Sequence, residues 1–192
     1  MARFSRLDVL GAMLSTCLVP VFYEGNVETA RRIVAAAADG GAKTIEFTNR
    51  GDLAYRVFCE LADWTARERT DVMLGVGSVI DGPTAGLYLN SGADFVVGPT
   101  LSPQAAKVCN LRQVAYVPGC GSVTEISRAQ GLGAEIVKIF PAGQVGGPAF
   151  CKAVLGPMPG PGSCPRAASR PPPRAWASGS QRARPAWGWA AN

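Results

Sequence analysis

One lysine lies at the centre of the stretch Glu135-Ile136-Val137-Lys138-Ile139-Phe140-Pro141, whose other central residues are all apolar. Such a run is typical of a buried strand, and alternation places Ile136, Lys138 and Phe140 on one face. Apolar neighbours disfavour the ammonium form, and a neutral lysine is a nucleophile that can form a Schiff base with a carbonyl group. The alternative is a lysine on a solvated edge strand.

Five further apolar runs precede this one, and stretches with helix signals separate them. The six candidate strands are residues 17–22, 44–48, 72–75, 94–97, 114–117 and 136–140. The candidate helix N-caps are Asn26, Asp81, Ser102 and Ser122, and Ser122 with Glu125 has the spacing of a capping box. Strands that alternate with helices predict an α/β fold with a parallel sheet, either doubly wound or part of a barrel.

Composition narrows the class of protein and of active site. The chain has 192 residues, of which 47% are hydrophobic and 17% charged, as is typical of one soluble globular domain. It contains no histidine, which excludes Ser-His-Asp and Cys-His catalysis and zinc sites that need imidazole. Six cysteines without a C-x-x-C pair favour a reducing, cytoplasmic compartment, and no apolar stretch has membrane-spanning length.

The formal charge of +5 is concentrated at one end of the chain. Acidic and basic residues cancel over residues 1–159, whereas residues 160–192 contain arginines and no acidic residue. The body of the chain therefore gives no electrostatic indication of nucleic-acid binding.

A second chemically informative strand contains Glu46. Alternation places Glu46 and Thr48 on one face, opposite Ile45 and Phe47. Strands of a parallel sheet are covered on both faces, so Glu46 is expected to lie in an enclosed space. An ion pair that only neutralises Glu46 is the alternative. If the site is catalytic, Glu46 provides a base, and Arg50, just beyond the strand, suits a substrate carboxylate.

Three successive strands end in glycine-rich turns. The first is Gly75-Val76-Gly77-Ser78, which leaves room for a ligand near the backbone and adds the Ser78 hydroxyl. Similar turns follow at residues 98–100 and 118–122. A tight turn alone explains any one of them, but three in succession indicate an open mouth at one end of the sheet.

Together these segments resemble the 2-dehydro-3-deoxy-6-phosphogluconate (KDPG) aldolases, which often also act as 4-hydroxy-2-oxoglutarate (KHG) aldolases. The resemblance covers about residues 5–159. It is carried by Val19-Pro20-Val21, Ile45-Glu46-Phe47-Thr48-Asn49-Arg50, Gly75-Val76-Gly77-Ser78-Val79, Gly98-Pro99, Val117-Pro118-Gly119 and Val137-Lys138-Ile139-Phe140-Pro141-Ala142.

The resemblance implies a (β/α)₈ TIM-type barrel, usually a homotrimer, that works as a class I aldolase on a keto acid without metal or cofactor. Lys138 matches the lysine that forms the Schiff base, Glu46 the acid/base that moves protons through water, and Arg50 the carboxylate clamp. Two further positions contact substrate in this interpretation, namely Ser78, where the family usually has threonine, and Pro99. Asn49 replaces a common aliphatic residue, and Thr48 is expected at the substrate because it shares the face of Glu46.

The resemblance ends where the composition changes. Residues 160–192 are rich in Pro, Arg, Ala and Trp and contain neither of the family's two phosphate-binding motifs. We interpret them as a disordered tail produced by a frameshift, which the nucleotide sequence around codon 160 would test. Residues 1–159 then form a barrel truncated to about six βα units. An open edge predicts a hydrated Lys138, impaired activity and aggregation.

Two other functions remain open at this point. A barrel isomerase or epimerase acting on a sugar phosphate would use Glu46 as base and Lys138 as an electrostatic partner, without forming an imine. A non-enzymatic protein would bind nucleic acid or another partner through the arginine- and tryptophan-containing tail.

Overall fold

The computed structural model describes residues 2–158, in which strands and helices alternate. The strands are β1 Val21–Phe22, β2 Thr44–Thr48, β3 Met73–Gly77, β4 Phe95–Val97, β5 Ala115–Val117, β6 Gly119–Cys120 and β7 Lys138–Ile139. The helices are α1 Arg6–Thr16, α2 Val27–Asp39, α3 Ala54–Glu68, α4 Gly82–Asn90, α5 Pro103–Leu111, α6 Val123–Gly131 and α7 Gly147–Leu155. All six predicted strands overlap an observed one. The predicted tail, residues 160–192, lies outside the described residues.

The strands are parallel and follow the chain in order. Strands β1 to β5 form one sheet in the order β1-β2-β3-β4-β5, and β6 pairs with β7. Pro118 separates β5 from β6, because proline has no N–H to donate to the ladder. Its carbonyl still accepts a hydrogen bond from Lys138 N at 2.8 Å, so β7 continues the parallel arrangement. Over residues 2–158, this order, with helices between the strands, confirms the prediction of successive βα units of a TIM-type barrel.

Two apolar clusters lie on opposite faces of the sheet. The outer cluster joins alternate residues of the strands to helices α2 to α5. The inner cluster joins the other alternate residues to helix α1 and includes Val9, Met13, Met73, Phe95 and Val117. Helix α1 therefore packs on the inner face, unlike the helices that connect the strands.

The sequence pattern does not predict helix α1. Its capping box uses Asp8 instead of the usual Glu or Gln: Ser5 N donates to the Asp8 carboxylate at 3.1 Å, and Asp8 N donates to Ser5 Oγ at 3.2 Å. Leu7 and Leu14 are exposed, so the helix lacks the polar face that would reveal it. Because Cys17 ends this helix in a left-handed conformation, β1 is shorter than the predicted strand at residues 17–22.

The four predicted N-caps are confirmed. The side chains of Asn26, Asp81, Ser102 and Ser122 each accept a hydrogen bond from the backbone N–H three residues later. The predicted capping box at Ser122 is only half correct. The Glu125 carboxylate accepts from Gly121 N at 2.7 Å, one residue before the cap.

Arg3 holds the N-terminal segment against the amino-terminal ends of β3 and β4. Its guanidinium donates to the carbonyl of Val72 at 2.6 Å, to that of Thr65 at 3.2 Å and to the Asp94 carboxylate at 3.2 Å. The Asp94 side chain is fully buried and also accepts from Leu74 N at 3.0 Å. Burial raises the pKa of the Asp94 carboxyl, and the hydrogen bonds and charge of Arg3 oppose that rise.

Within residues 2–158, the arrangement has two edges. Strand β1 pairs only with β2, and β7 pairs only with β6. Each of these edge strands has two residues. The described part of the chain is therefore an open section of a barrel.

Candidate functional site

The strand register places Glu46 and Lys138 on the same, inner face. Glu46 aligns with Gly75, two residues beyond the inner-face residue Met73. Lys138 aligns with Gly119, two residues beyond the inner-face residue Val117. Because strand residues alternate between faces, both side chains lie on the face opposite helices α2 to α5. The predicted orientation of both residues is confirmed.

Glu46 is held at the centre of β2 and is 1% exposed. Its backbone N–H donates to the carbonyl of Pro20 at 2.8 Å. A Cβ atom at Gly77 would overlap the Glu46 carboxylate at Oε1, which therefore lies directly over the last residue of β3. The glycine at position 77 thus leaves the space that the Glu46 side chain occupies near the carboxyl end of the sheet.

The other glycine of β3 leaves space for a different side chain. A Cβ atom at Gly75 would overlap the ring of Phe95. The sequence predicts that the space beside these two glycines is available to a ligand. In the structure, the side chains of Glu46 and Phe95 occupy that space.

Lys138 is buried although it belongs to an edge strand. The residue is 8% exposed, so the prediction of a hydrated Lys138 is wrong. Its Nζ lies 5.3 Å from the centre of the Phe140 ring, within the range of a cation–π contact. On the other face, Val137 and Ile139 pack into the cluster of α6 and α7, which fixes the strand from behind.

Arg50 and Ser78 are brought together at the mouth of the sheet. Arg50 follows β2, is exposed, and donates through Nε to Ser78 Oγ at 3.1 Å. Ser78 follows β3 with φ 63°, a left-handed conformation that a sharp turn imposes. The terminal nitrogens of Arg50 suit a carboxylate, as its predicted role requires.

The remaining two predicted residues lie on either side of this group. Thr48 is 1% exposed, and its hydroxyl donates to the carbonyl of Phe22 at 3.2 Å. That bond joins β2 to β1. Pro99 lies close to Gly119: a Cβ atom added at Gly119 would overlap the Pro99 carbonyl. Pro99 therefore lies against β6, the strand that pairs with the lysine's strand β7. Contact of either residue with substrate stays a prediction.

A hydrogen bond that the sequence does not predict joins Asn49 to helix α4. The Tyr88 hydroxyl donates to Asn49 Oδ1 at 2.9 Å. Burial raises the pKa of Tyr88 to about 12, so the phenol keeps its proton. In the sequence, the only indication of this hydrogen bond is the amide side chain of Asn49, at a position where the family that the chain resembles commonly has an aliphatic residue.

A cavity of about 610 Å³ lies at the opposite end of the sheet. Its lining includes the N-terminal segment and Val114, which precedes β5. The guanidinium groups of Arg3 and Arg6 that border it bond backbone carbonyls and the carboxylates of Asp94 and Glu135. The cavity is therefore distinct from the site at the carboxyl ends.

The described residues form neither a metal-binding cluster nor a membrane-spanning helix. Over residues 2–158, no group of three or more His, Cys, Asp and Glu side chains is arranged to hold a metal ion. No helix in that range is both long and apolar enough to cross a membrane. Burial raises the pKa of the Cys109 and Cys120 thiols to about 12, so neither is an activated nucleophile.

Residues 10–171 match the family model of the KDPG and KHG aldolases. The match continues past residue 159, further than the motifs alone indicate. The 2-dehydro-3-deoxy-phosphogluconate aldolase of Treponema pallidum is 32% identical over 151 residues, which are 79% of this chain and 70% of that protein. The enzyme of the same name from Haemophilus influenzae is 31% identical, over 73% of this chain and 64% of its own length. About a third of each relative is thus unmatched.

A solved structure gives the same result. The KDPG aldolase of Legionella pneumophila, with pyruvate captured at low pH as a covalent carbinolamine intermediate, has a TM-score of 0.71 and 25% sequence identity. The superposition covers 78% of this chain and 71% of that one. From the family match, the sequence identity and the shared fold, the chain belongs to the KDPG and KHG aldolase family.

Proposed function

We propose that this chain cleaves 2-keto-3-deoxy-6-phosphogluconate, 4-hydroxy-2-oxoglutarate or both to pyruvate and an aldehyde through a Schiff base on Lys138. One observation carries the proposal: Glu46 and Lys138 are both buried and share the inner face of the sheet. A carboxylate and an amine on one enclosed face are the two groups that imine chemistry needs.

The reaction follows from these two groups. The Lys138 Nζ attacks the 2-keto carbon, and loss of water gives a protonated imine. When a base removes the proton of the C4 hydroxyl, the C3–C4 electron pair moves into the imine and the aldehyde leaves. The resulting enamine takes a proton at C3, and hydrolysis releases pyruvate and restores the amine. Glu46, acting through water, exchanges these protons.

Two further observations support this assignment. Arg50 ends at the mouth of the sheet beside Ser78, where its guanidinium can bind the carboxylate of the keto acid. The Legionella pneumophila relative captured pyruvate as a covalent carbinolamine, the adduct that precedes an imine. An isomerase of sugar phosphates would form no such adduct.

We expect the cleavage to be slow. About a third of the Treponema pallidum relative has no counterpart in its alignment with this chain. The two phosphate-binding motifs of the family are missing from the sequence. Binding energy from a remote phosphate accelerates the chemical step, so its loss lowers kcat as well as affinity. Capture of pyruvate itself needs no phosphate contact and is expected to persist.

Borohydride reduction in the presence of pyruvate tests the proposal. We expect a reduced pyruvyl adduct on Lys138, identified by peptide mass spectrometry, and none in Lys138→Arg. Lys152→Arg is the matched control, because Lys152 is an exposed lysine of the nearby helix α7. A folded protein, shown by circular dichroism, that takes no label on Lys138 would contradict the proposal.

We also propose that the chain self-associates, as the resemblance to a trimeric family implies, and that it works in the cytoplasm. Leu53 and Ile80, which follow the neighbouring strands β2 and β3, are each more than 60% exposed at the same end of the sheet, which is apolar surface that an interface could cover. Cys59, Cys109 and Cys120 carry free thiols, as expected in a reducing compartment. Light scattering on the purified chain distinguishes a defined trimer from a monomer and from aggregates.

A further inference from the structure

We propose that the hydroxyl of Tyr88 is a positioning group for Arg50, acting through the side chain of Asn49. The proposal rests on the proposed role of Arg50 as the clamp for the substrate carboxylate. It assigns a purpose to two residues that lie outside the inner face and contact no reacting atom.

The position of the Tyr88 hydroxyl is tightly determined. Tyr88 lies in α4 and is 1% exposed. Its ring meets those of Tyr55 and Phe58 in α3 edge to face, with centroid distances of 5.6 Å and 5.0 Å. A ring held between two others of the neighbouring helix cannot swing its hydroxyl without disturbing both contacts. The hydroxyl is therefore a fixed point on the outer side of the sheet.

Asn49 is attached to this fixed point and to the sheet. Its Oδ1 accepts the Tyr88 hydrogen bond at 2.9 Å, and its backbone N–H donates to the carbonyl of Gly77 at 2.9 Å. Asn49 comes directly after β2, with its side chain towards the helices. Both its side chain and its backbone are thus held before the chain turns away from the sheet.

Arg50 is the next residue, so its backbone begins from the fixed position of Asn49. Its backbone N–H donates to the carbonyl of Thr48 at 2.9 Å, and its Nε donates to Ser78 Oγ at 3.1 Å. Apart from this contact, the Arg50 side chain is exposed, and surrounding water does not hold it in one direction. An exposed arginine loses conformational entropy when it binds an anion, and a backbone that is already fixed removes the backbone's part of that cost. The hydrogen bond from Tyr88 therefore favours carboxylate binding rather than the chemical step.

The same pair of residues could instead serve stability alone. A buried phenol needs a partner, and Asn49 supplies one whether or not Arg50 is used. The two roles differ in what they change. A stabilising role alters the free energy of unfolding only, whereas a positioning role also alters the pyruvate concentration at half-saturation and the order of the Arg50 side chain.

Tyr88→Phe tests the proposal, because it removes the hydroxyl and keeps the ring. We expect the pyruvate concentration that half-saturates borohydride labelling to rise about three- to tenfold, with an unchanged maximal labelling rate. The matched control is Tyr55→Phe, which removes a hydroxyl from the same aromatic group. The Tyr55 hydroxyl accepts from Ser91 Oγ, and Ser91 keeps a second acceptor, the Leu87 carbonyl. This control should leave the half-saturating concentration unchanged.

A second measurement does not depend on activity. Exchange of the Arg50 Nε–H proton with water is followed by NMR on protein with ¹⁵N-labelled arginine, and the signal is assigned by its loss in Arg50→Lys. We expect faster exchange in Tyr88→Phe and no change in Tyr55→Phe. Unchanged exchange in Tyr88→Phe, or equal changes in both variants, overturns the positioning role. If wild-type protein takes no pyruvate label, the proposed function fails, and the exchange measurement still decides this inference.

Discussion

Two parts of the strand array differ in the length and the pairing of their strands. Strands β2 and β3 have five residues each, all buried, and each pairs with a neighbour on both sides. Within residues 2–158, strands β6 and β7 have two residues each, and β7 pairs only with β6. The candidate site therefore joins β2, which the whole core holds in place, to β7, which has few neighbours.

Glu46 and Lys138 fall on opposite sides of this division. Glu46 lies on β2 and directly over Gly77 of β3, so the large core positions it. Lys138 lies on β7, an edge strand of the described residues, and is 8% exposed. We therefore expect the base to tolerate damage to the edge, and the nucleophile to be the first group to lose its position.

The largest expected effect comes from two identical truncations, one on each side. Ile45 in β2 and Ile139 in β7 both face the outer helices and are 0% and 4% exposed. Ile45→Ala should reduce the free energy of unfolding by about 4 kcal/mol and Ile139→Ala by about 2 kcal/mol, because the edge strand can relax around the lost volume. Urea denaturation followed by circular dichroism measures both. Equal losses would show that the edge is as rigid as the core.

Gly77→Ala should disturb the base and leave most of the fold intact. The added methyl overlaps the Glu46 carboxylate, which must move. A shift of about 1 Å in a catalytic group costs on the order of 100-fold in rate, so exchange of the methyl protons of pyruvate with deuterium should slow by that factor. Proton NMR measures the exchange. Gly86→Ala in α4 is the control, because nothing lies within 4 Å of its added methyl. Undiminished exchange in Gly77→Ala would argue against Glu46 as the base.

Local sequence signals predicted the orientation of both candidate residues, because alternation along a strand needs no knowledge of distant contacts. The N-caps at Asn26 and Asp81 were predictable for the same reason. The apolar run around Lys138 likewise indicated a buried strand, as the structure shows. The bond from Tyr88 to Asn49 was not predictable, since its partners are 39 residues apart in sequence. Contacts between elements are set by the packed fold and leave little trace in either segment.

Arg3→Met should reduce stability on the core side by about 2 kcal/mol, because it leaves the buried Asp94 carboxylate without its cation. Thermal unfolding measures the loss. Arg67→Met is the matched control, since the Arg67–Asp63 pair is exposed at both ends and should contribute about 0.5 kcal/mol or less. If the two variants are equally stable, the N-terminal segment is not a fixed part of the core.

The smallest expected effect is a loss of stability in alkaline solution, greater on the core side. Burial raises the pKa of Cys109 from 9.0 to about 12, and that of Tyr88 and Tyr116 from 10.0 to about 12. The unfolded chain releases these protons first, so the stability they provide is complete below pH 9 and is lost as the pH rises towards 12. The Cys109 thiol alone should account for about 1 kcal/mol by pH 10. Urea titrations at pH 8 and pH 10 should show a smaller pH-dependent loss in Cys109→Ala than in Cys59→Ala. An identical loss in both variants would mean that the Cys109 thiol is not sealed in the outer cluster.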